Sequence, residues 1–439
     1  MAKPADILIY APWIVPVVPQ EMVYYDHAIA IAGGNIVDIV PGDQAKCLFE
    51  PATTLQLDDQ VLIPGLINAH THAGMNLFRG LADDLPLTEW LKAHIWPAEQ
   101  RWIGEQFVRD GARHAVAEML LSGTTCFNDM YFFPQQTGSV AAEAGMRAMI
   151  GLIIIDLETP WARDAHEYLV KAGRVHDEFR QHPLLRTCFA PHAPYSVGDE
   201  PLARIATLAE ELDIPITIHL HETKDEVEQS VADTGERPIE RLKRFGLLSP
   251  RLLGVHMTQL SERDLEELQT HRAHVVHCPE SNMKLATGAC PIAQLETLGI
   301  NVALGTDGAA SNNDLDMFGE MRSAALLGKL TAGTSTAIAA HNALQLATLN
   351  GARALGMENT IGSLEAGKAA DIVSVDLRAP ALQPVHDPVS QIVYCATGRD
   401  VSNVWVAGEP VVVGGELTRL DQDSILRQSA SWAARIAAE

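Results

Sequence analysis

Leu62-Ile63-Pro64-Gly65-Leu66-Ile67-Asn68-Ala69-His70-Thr71-His72 runs an apolar stretch straight into a pair of histidines. An apolar run without polar alternation fits a strand covered on both faces, as in a parallel sheet. Successive side chains on a strand alternate faces, so His70 and His72 point the same way and can offer two imidazoles to one ion. Alone the pair says little, because 17 histidines in 439 residues produce about one His-x-His by chance. Its position at the end of an apolar run is what gives it weight. That first run begins near Val61, and seven more β-branched runs begin near Thr124, Met149, Arg186, Ile214, Leu252, His274 and Asn301, each followed by a segment that can hold a helix. Eight β/α units over about 300 residues predict an α/β fold, a (β/α)8 TIM barrel rather than a doubly wound sheet. Reactive residues in such barrels sit at the carboxyl ends of the strands.

The two ends of the chain read differently. Short β-rich runs at 5–10 and 36–40 are matched at the far end by 370–375, 401–406 and 411–413, with glycine turns at Gly33-Gly34, Gly408 and Gly414-Gly415. They predict a small β-sandwich assembled from residues 1–59 and 368–439, with the barrel at 60–367. The stretch 7–18 is the most membrane-like, but Asp6 precedes it, Pro12 and Pro16 interrupt it, and it is too short to span a bilayer. It reads as edge strands with turns. Residues 337–355 read as one helix capped by Gly356.

Charge narrows the function. The chain carries 56 acidic against 32 basic side chains, a formal net charge of -24, which excludes a protein that tracks a polyanion. No nucleic-acid or membrane partner is expected. Cys47, Cys126, Cys188, Cys278, Cys290 and Cys395 form no Cys-x-x-Cys pair and read as thiols of a reducing cytoplasm. The outer ring of barrel helices leaves surface for a homo-oligomer.

Chemistry recurs at the strand ends. Strand five runs into His219-Leu220-His221-Glu222, strand six ends at His256, and strand eight ends at Asp307-Gly308. Taken singly these residues read as structural, the aspartate for example as a helix cap. Together, four of the eight strands bring metal-capable groups to one rim. Three imidazoles and one carboxylate, with a position left for water, suit one catalytic divalent ion: zinc, or iron(II), which the same donors accept. Such an ion lowers the pKa of bound water toward ~7. Glu222, just beyond His219, is placed to move protons.

With these residues in view, the chain resembles the amidohydrolase superfamily, in its branch of purine-type deaminases and triazine hydrolases. The motifs are Pro-Gly-Leu-Ile-Asn-Ala-His-Thr-His (64–72), Asn-Leu-Phe-Arg-Gly (76–80), His-Leu-His-Glu (219–222), Gly-Thr-Asp-Gly-Ala-Ala-Ser-Asn-Asn (305–313) and Gly-Ser-Leu-Glu-Ala-Gly-Lys-Ala-Ala-Asp (362–371). The resemblance implies a barrel plus a terminal β-sandwich, with His70, His72, His219 and Asp307 as metal ligands. It gives His256 a hydrogen bond to the reacting oxygen and makes Asp307 a proton acceptor as well. Relatives with two ions carry a carboxylated lysine on strand four. Here that strand reads Arg186-Thr187-Cys188-Phe189-Ala190-Pro191-His192, so one ion per chain is expected. Ligation is assigned to the first histidine of strand five, leaving His221 ambiguous, and His277 reads as a packed or hydrogen-bonded rim residue.

Within the branch, Trp90 through Pro97-Ala98-Glu99, Pro191-His192-Ala193-Pro194-Tyr195-Ser196 and His277 through Lys284 look most like 5'-methylthioadenosine/S-adenosylhomocysteine deaminases. That likeness implies a purine nucleoside substrate, with Glu99 on the ribose hydroxyls, His192 on the nucleoside and Arg163 on the amino-acid carboxylate of the longer substrate. A carboxylate can accept two hydroxyls, and a guanidinium suits a carboxylate. A second arginine of some relatives falls on Gly151, which favours methylthioadenosine or adenosine. The implied reaction adds water at C6 of adenine, with Glu222 protonating N1, and expels ammonia. The same rim could serve an s-triazine, but chloride departure needs no proton from Glu222. A guanine or cytosine deaminase would leave Glu99 without a purpose, and the intact donor set argues against a non-catalytic metal-binding scaffold.

Overall fold

The computed structural model describes residues 2–438. Eight parallel strands form one barrel sheet: β1 (Leu66–Thr71), β2 (Thr124–Tyr131), β3 (Arg147–Ile154), β4 (Leu185–Pro191), β5 (Ile216–Leu220), β6 (Leu252–His256), β7 (His274–His277) and β8 (Val302–Leu304). Every residue of β2 and β3 is buried, the outcome of covering both faces with apolar side chains. A polar seam closes the ring between β8 and β1. Asn68 Nδ2 donates to Thr306 Oγ1 (2.7 Å), Thr306 N donates to Asn68 Oδ1 (3.1 Å), and Asp307 N donates to His70 O (3.1 Å). The asparagine of the opening motif therefore holds the barrel shut directly beneath the histidine pair.

Both chain termini contribute to a nine-stranded mixed sheet. Here the expectation of edge strands over 7–18 is corrected. Lys3–Ile14 is one inner strand, antiparallel to Tyr24–Ala32 on one side and parallel on the other to Phe49–Gln56 and then, at Trp13 and Ile14, to Gln60–Pro64. Two partners sharing one edge allow a long strand to bend without losing its ladder. The C-terminal strand Ile372–Asp376 pairs antiparallel with Gln60–Pro64, and Val401–Val406 and Glu409–Val413 follow it.

The apolar stretch at 60–72 is thus two strands in two sheets. Gly65 is the switch: its N donates to Asp371 O (2.9 Å), and a Cβ there would lie 2.0 Å from Thr125 Oγ1. The single helix expected over 337–355 is also corrected. It is split into Ala340–Leu346 and Leu349–Ala354, because Ala347 O turns away to accept the N–H of Ile67 (2.8 Å). Gly356 closes the second helix at φ +64°.

Barrel and sheet are joined by buried charge. Arg147 at the start of β3 makes a two-pronged ion pair with Asp371, both contacts 3.0 Å, and Asp371 Oδ1 also accepts the N–H of Ala407 (2.8 Å). The final helix, Gln422–Ala437, packs against the barrel helix Glu105–Leu121, where Trp432 Nε1 donates to Asp110 (2.9 Å). All six cysteines are free thiols. No described helix is long and apolar enough to cross a membrane.

Candidate active site

Four strand ends converge as expected. One ligand atom each from His70, His219, His256 and Asp307 lies within 4.8 Å of the others, and all four residues are buried. His72 reaches the same place, its Nε2 3.0 Å from Asp307 Oδ1, while His70 Nε2 is 3.4 Å from that oxygen and 3.1 Å from His219 Nε2.

The outer nitrogens explain how the rings are aimed. His72 Nδ1 lies 2.6 Å from Met130 O, His219 Nδ1 2.9 Å from His192 O, and His256 Nδ1 2.9 Å from Asn282 Oδ1. Each partner only accepts, so the proton belongs on Nδ1 and the lone pair of Nε2 faces inward. Asp307 Oδ2 accepts the hydroxyls of Ser281 (2.8 Å) and Ser311 (2.5 Å), whereas buried Oδ1 has no aligned hydrogen bond. Inward lone pairs facing a bare carboxylate oxygen repel one another unless a cation or proton lies between them. This donor set therefore fits a divalent metal. The backbone supports the same view: His256 (φ +75°) and Asp307 (φ +60°) hold left-handed conformations that cost about 1–3 kcal/mol each and persist only where surrounding contacts enforce them.

Burial sets the protonation states. It lowers His70 to about 4 and His219 well below the ordinary imidazole value, keeping both neutral. His72 is the exception: burial opposes its charge, but its contact with the Asp307 carboxylate, the charge of that group, the Met130 carbonyl and the charge of Asp129 together outweigh burial and raise it to about 9. A proton on His72 and a cation in the cluster thus compete for the same negative charge. Burial raises Glu222, with the nearby His256 opposing; its Oε1 is 3.8 Å from His256 Nε2, too far for a hydrogen bond.

His72, His219, Glu222, His256 and Asp307 floor a cavity of about 440 Å³. On its wall, Glu99 of the helix Trp96–Trp102 accepts the hydroxyl of Tyr131 (2.8 Å), and burial lifts its carboxyl to about 7 against the opposing pull of Tyr131 and His72. His192, lowered to about 4 by burial, lines the same space and meets Ser196 Oγ at 2.9 Å.

Other expected residues lie elsewhere. Arg163 is not on the cavity wall: its side chain is 78% exposed and paired with Glu167 at 2.9 Å. Gly151 is buried in β3, where a Cβ would come 2.2 Å from Asp129 O, so no cationic side chain fits. His221 turns out of the strand at φ +54°, its Nδ1 donating to Gln259 O (3.0 Å) and its Nε2 accepting the N–H of Ile239 (3.1 Å), so neither nitrogen is available as a ligand. His277 is fully buried with neither nitrogen hydrogen-bonded and stays outside the cluster. Sequence reasoning missed Tyr131, although its position at the carboxyl end of β2 would have marked it. It also gave no role to Ser281, Asn282 and Ser311, which lie inside motifs already singled out.

Comparison with known proteins agrees with this geometry. The chain is 52% identical over 434 residues to a 5-methylthioadenosine/S-adenosylhomocysteine deaminase of Teredinibacter turnerae, covering 99% of this chain and 98% of the relative. It is 49% identical over 436 residues to the enzyme of that name from Saccharophagus degradans, covering 99% and 98%. Among solved structures, an adenosine deaminase from Xanthomonas campestris with bound zinc superposes with a TM-score of 0.99 at 48% identity over the whole of both chains. An atrazine chlorohydrolase from Arthrobacter aurescens TC1 shares the fold (TM-score 0.91, 97% and 100% coverage) at 22% identity. The amidohydrolase family profile matches residues 61–411, and the chain belongs to that family.

Proposed function

We propose that this chain is a metal-dependent aminohydrolase that deaminates the adenine ring of a small purine nucleoside, 5'-methylthioadenosine, S-adenosylhomocysteine or adenosine, to the inosine analogue and ammonia. The observation that carries the reading is one cavity holding two carboxyl groups in different settings: buried Glu222 beside the imidazole–carboxylate cluster and half-buried Glu99 on the wall against Tyr131. The first suits proton transfer and the second suits a diol. The deaminase names of relatives at 52% and 49% identity support it. A triazine gives Glu99 nothing to bind.

His70, His72, His219 and Asp307 would hold one divalent ion, zinc as in the Xanthomonas campestris enzyme. When bound, the ion supplies Lewis acidity that makes water nucleophilic near neutral pH. The protein residues do the rest. Asp307, held through Oδ2 by two serine hydroxyls, keeps Oδ1 free to take a proton from the attacking water. His256, fixed through Asn282, presents Nε2 to the oxygen arriving at C6. Glu222, whose carboxyl is raised above the usual range by burial, stands beside the cluster and delivers a proton to N1 as the C6–O bond forms. Breaking the C6–N bond then releases the amine as ammonia, its third hydrogen being the proton Asp307 took from the water, while the other water hydrogen leaves the C6 oxygen and restores the Glu222 proton. Glu99, fixed by Tyr131, accepts the ribose hydroxyls, and His192 borders the nucleoside.

The same reading makes the protein a cytoplasmic homo-oligomer acting on a small molecule, in keeping with its net charge of -24 and six free thiols. The test is ammonia release, together with the adenine-to-hypoxanthine change in ultraviolet absorbance, from each of the three nucleosides with metal-replete protein. Unchanged spectra and no ammonia from all three would overturn it.

A further inference from the structure

Glu320 is a buried carboxyl group that the mechanism above does not use. It lies in the helix Met317–Ala332, is 0% exposed, and has no cation partner among the described residues. Its Oε1 accepts from Asn312 Nδ2 (2.6 Å) and its Oε2 from the backbone N–H of Glu280 (3.3 Å). The same Asn312 amide also donates to Thr306 O (2.8 Å), the carbonyl just before Asp307.

Both contacts fall one residue from a group that aims the site. Asn312 follows Ser311 and Glu280 precedes Ser281, the two serines whose hydroxyls grip Asp307 Oδ2. Asn282, next along, receives the His256 Nδ1 proton. The segment after β7 and the loop after β8 have no strand ladder between them, and Glu320 bridges them from behind. The groups around it are acidic as well: Glu280, which carries its own hydrogen bond from Ser323 (2.8 Å), and Asp314 lie near, and burial with these neighbours holds the Glu320 carboxyl well above the usual range. Its two oxygens are satisfied by the two N–H donors of the bridge.

We propose that Glu320 is a positioning residue: acting through Asn312 and the Glu280 backbone, it holds Ser311 and Ser281 on Asp307 and Asn282 on His256, and so sets the orientation of both groups toward the reacting atoms. It goes beyond the proposed deamination, using that reading only for its kinetic measurement. In zinc-loaded protein, Glu320→Ala lowers kcat about tenfold and leaves KM for methylthioadenosine within about twofold, since the Glu99 wall is untouched. Metal release to a chelator, which needs no turnover, quickens about tenfold. Glu320→Gln, which keeps the volume and an acceptor for Asn312 but turns an amide donor toward the Glu280 N–H, recovers part of both. Asn312→Ala shows the same loss, and the double variant is no worse than either single one, because both break one bridge.

Equal changes in kcat and KM, a kcat within twofold of the wild type, or additive losses in the double variant would each overturn the proposal and leave Glu320 as core packing. If Glu320→Ala does not fold, Glu320→Gln and Asn312→Ala decide it by the same measurements. If the wild-type protein deaminates none of the nucleosides, the functional reading falls separately, and the chelator rates still decide for or against Glu320.

Discussion

The floor and the mouth of the cavity are built in opposite ways. At the floor, each group stands at or near a strand end, is nearly or wholly buried, and is tied by a second atom: His72 to Met130, His219 to His192, His256 to Asn282, Asp307 to two serines. At the mouth, Lys92, Leu157, Glu158 and Tyr195 come from the segments after β1, β3 and β4 and are exposed, and the side chains of Lys92 and Glu158 make no hydrogen bond or ion pair among the described residues. Buried polar groups must be satisfied, and that obligation fixes their atoms; exposed charges are screened and free to move. Bond making belongs where positions are enforced. On the proposed function, discrimination between nucleosides that differ at the 5' end would fall to the weaker region, where each contact is worth little.

The largest break in this contrast is expected at the floor. Asp307→Ala removes the one carboxylate of the cluster, and both bound metal and deaminase activity should fall by at least about 10³-fold, read by metal analysis and ammonia release. Next comes Glu222→Gln, which keeps shape but cannot carry the proton: kcat should drop about 10²–10⁴-fold, with metal content and KM nearly unchanged.

Between floor and mouth lies Glu99, whose carboxyl is lifted to about 7. Above that pH it is a carboxylate able to accept two hydroxyls, as the proposed function requires; below it the group holds a proton and loses acceptor capacity. KM for methylthioadenosine should therefore rise, by about tenfold, as pH falls through 7, and Glu99→Gln should flatten the profile. The smallest effect is expected at the rim. Lys92 is the one lysine or arginine on the described cavity wall. Lys92→Ala should lower the ratio of kcat/KM for S-adenosylhomocysteine over methylthioadenosine by about threefold, and Arg163→Ala should leave that ratio unchanged. A larger loss at Arg163 would show that the exposed Glu167 pair opens when substrate arrives.

Much of this was legible from local pattern. The eight apolar runs begin within a few residues of the eight barrel strands, and the histidines and aspartate at their ends meet where strand parity and the barrel rule place them. Local pattern misled where a residue's partner is distant. His221 has the parity of His219, but a left-handed turn after Leu220 takes it out of the strand. At Arg163 the partner is local: Glu167, four residues on, pairs with it in this structure. The run at 60–72 is continuous in hydropathy, yet contact with Thr125 and Asp371 divides it between two sheets.

The sequence by itself determined the barrel, the pairing of the termini into a second sheet and the donor types at the rim, because periodicity and strand-end position are local properties that survive without knowledge of neighbours. Only the tertiary structure decided which ring nitrogens face inward, which carboxyl groups are shifted upward, and which residues brace the rest. Met130 O, Asn282, Tyr131 and Glu320 act through contacts between segments far apart in the chain, and the burial that shifts Glu99 and Glu222 exists only once the cavity has closed around them.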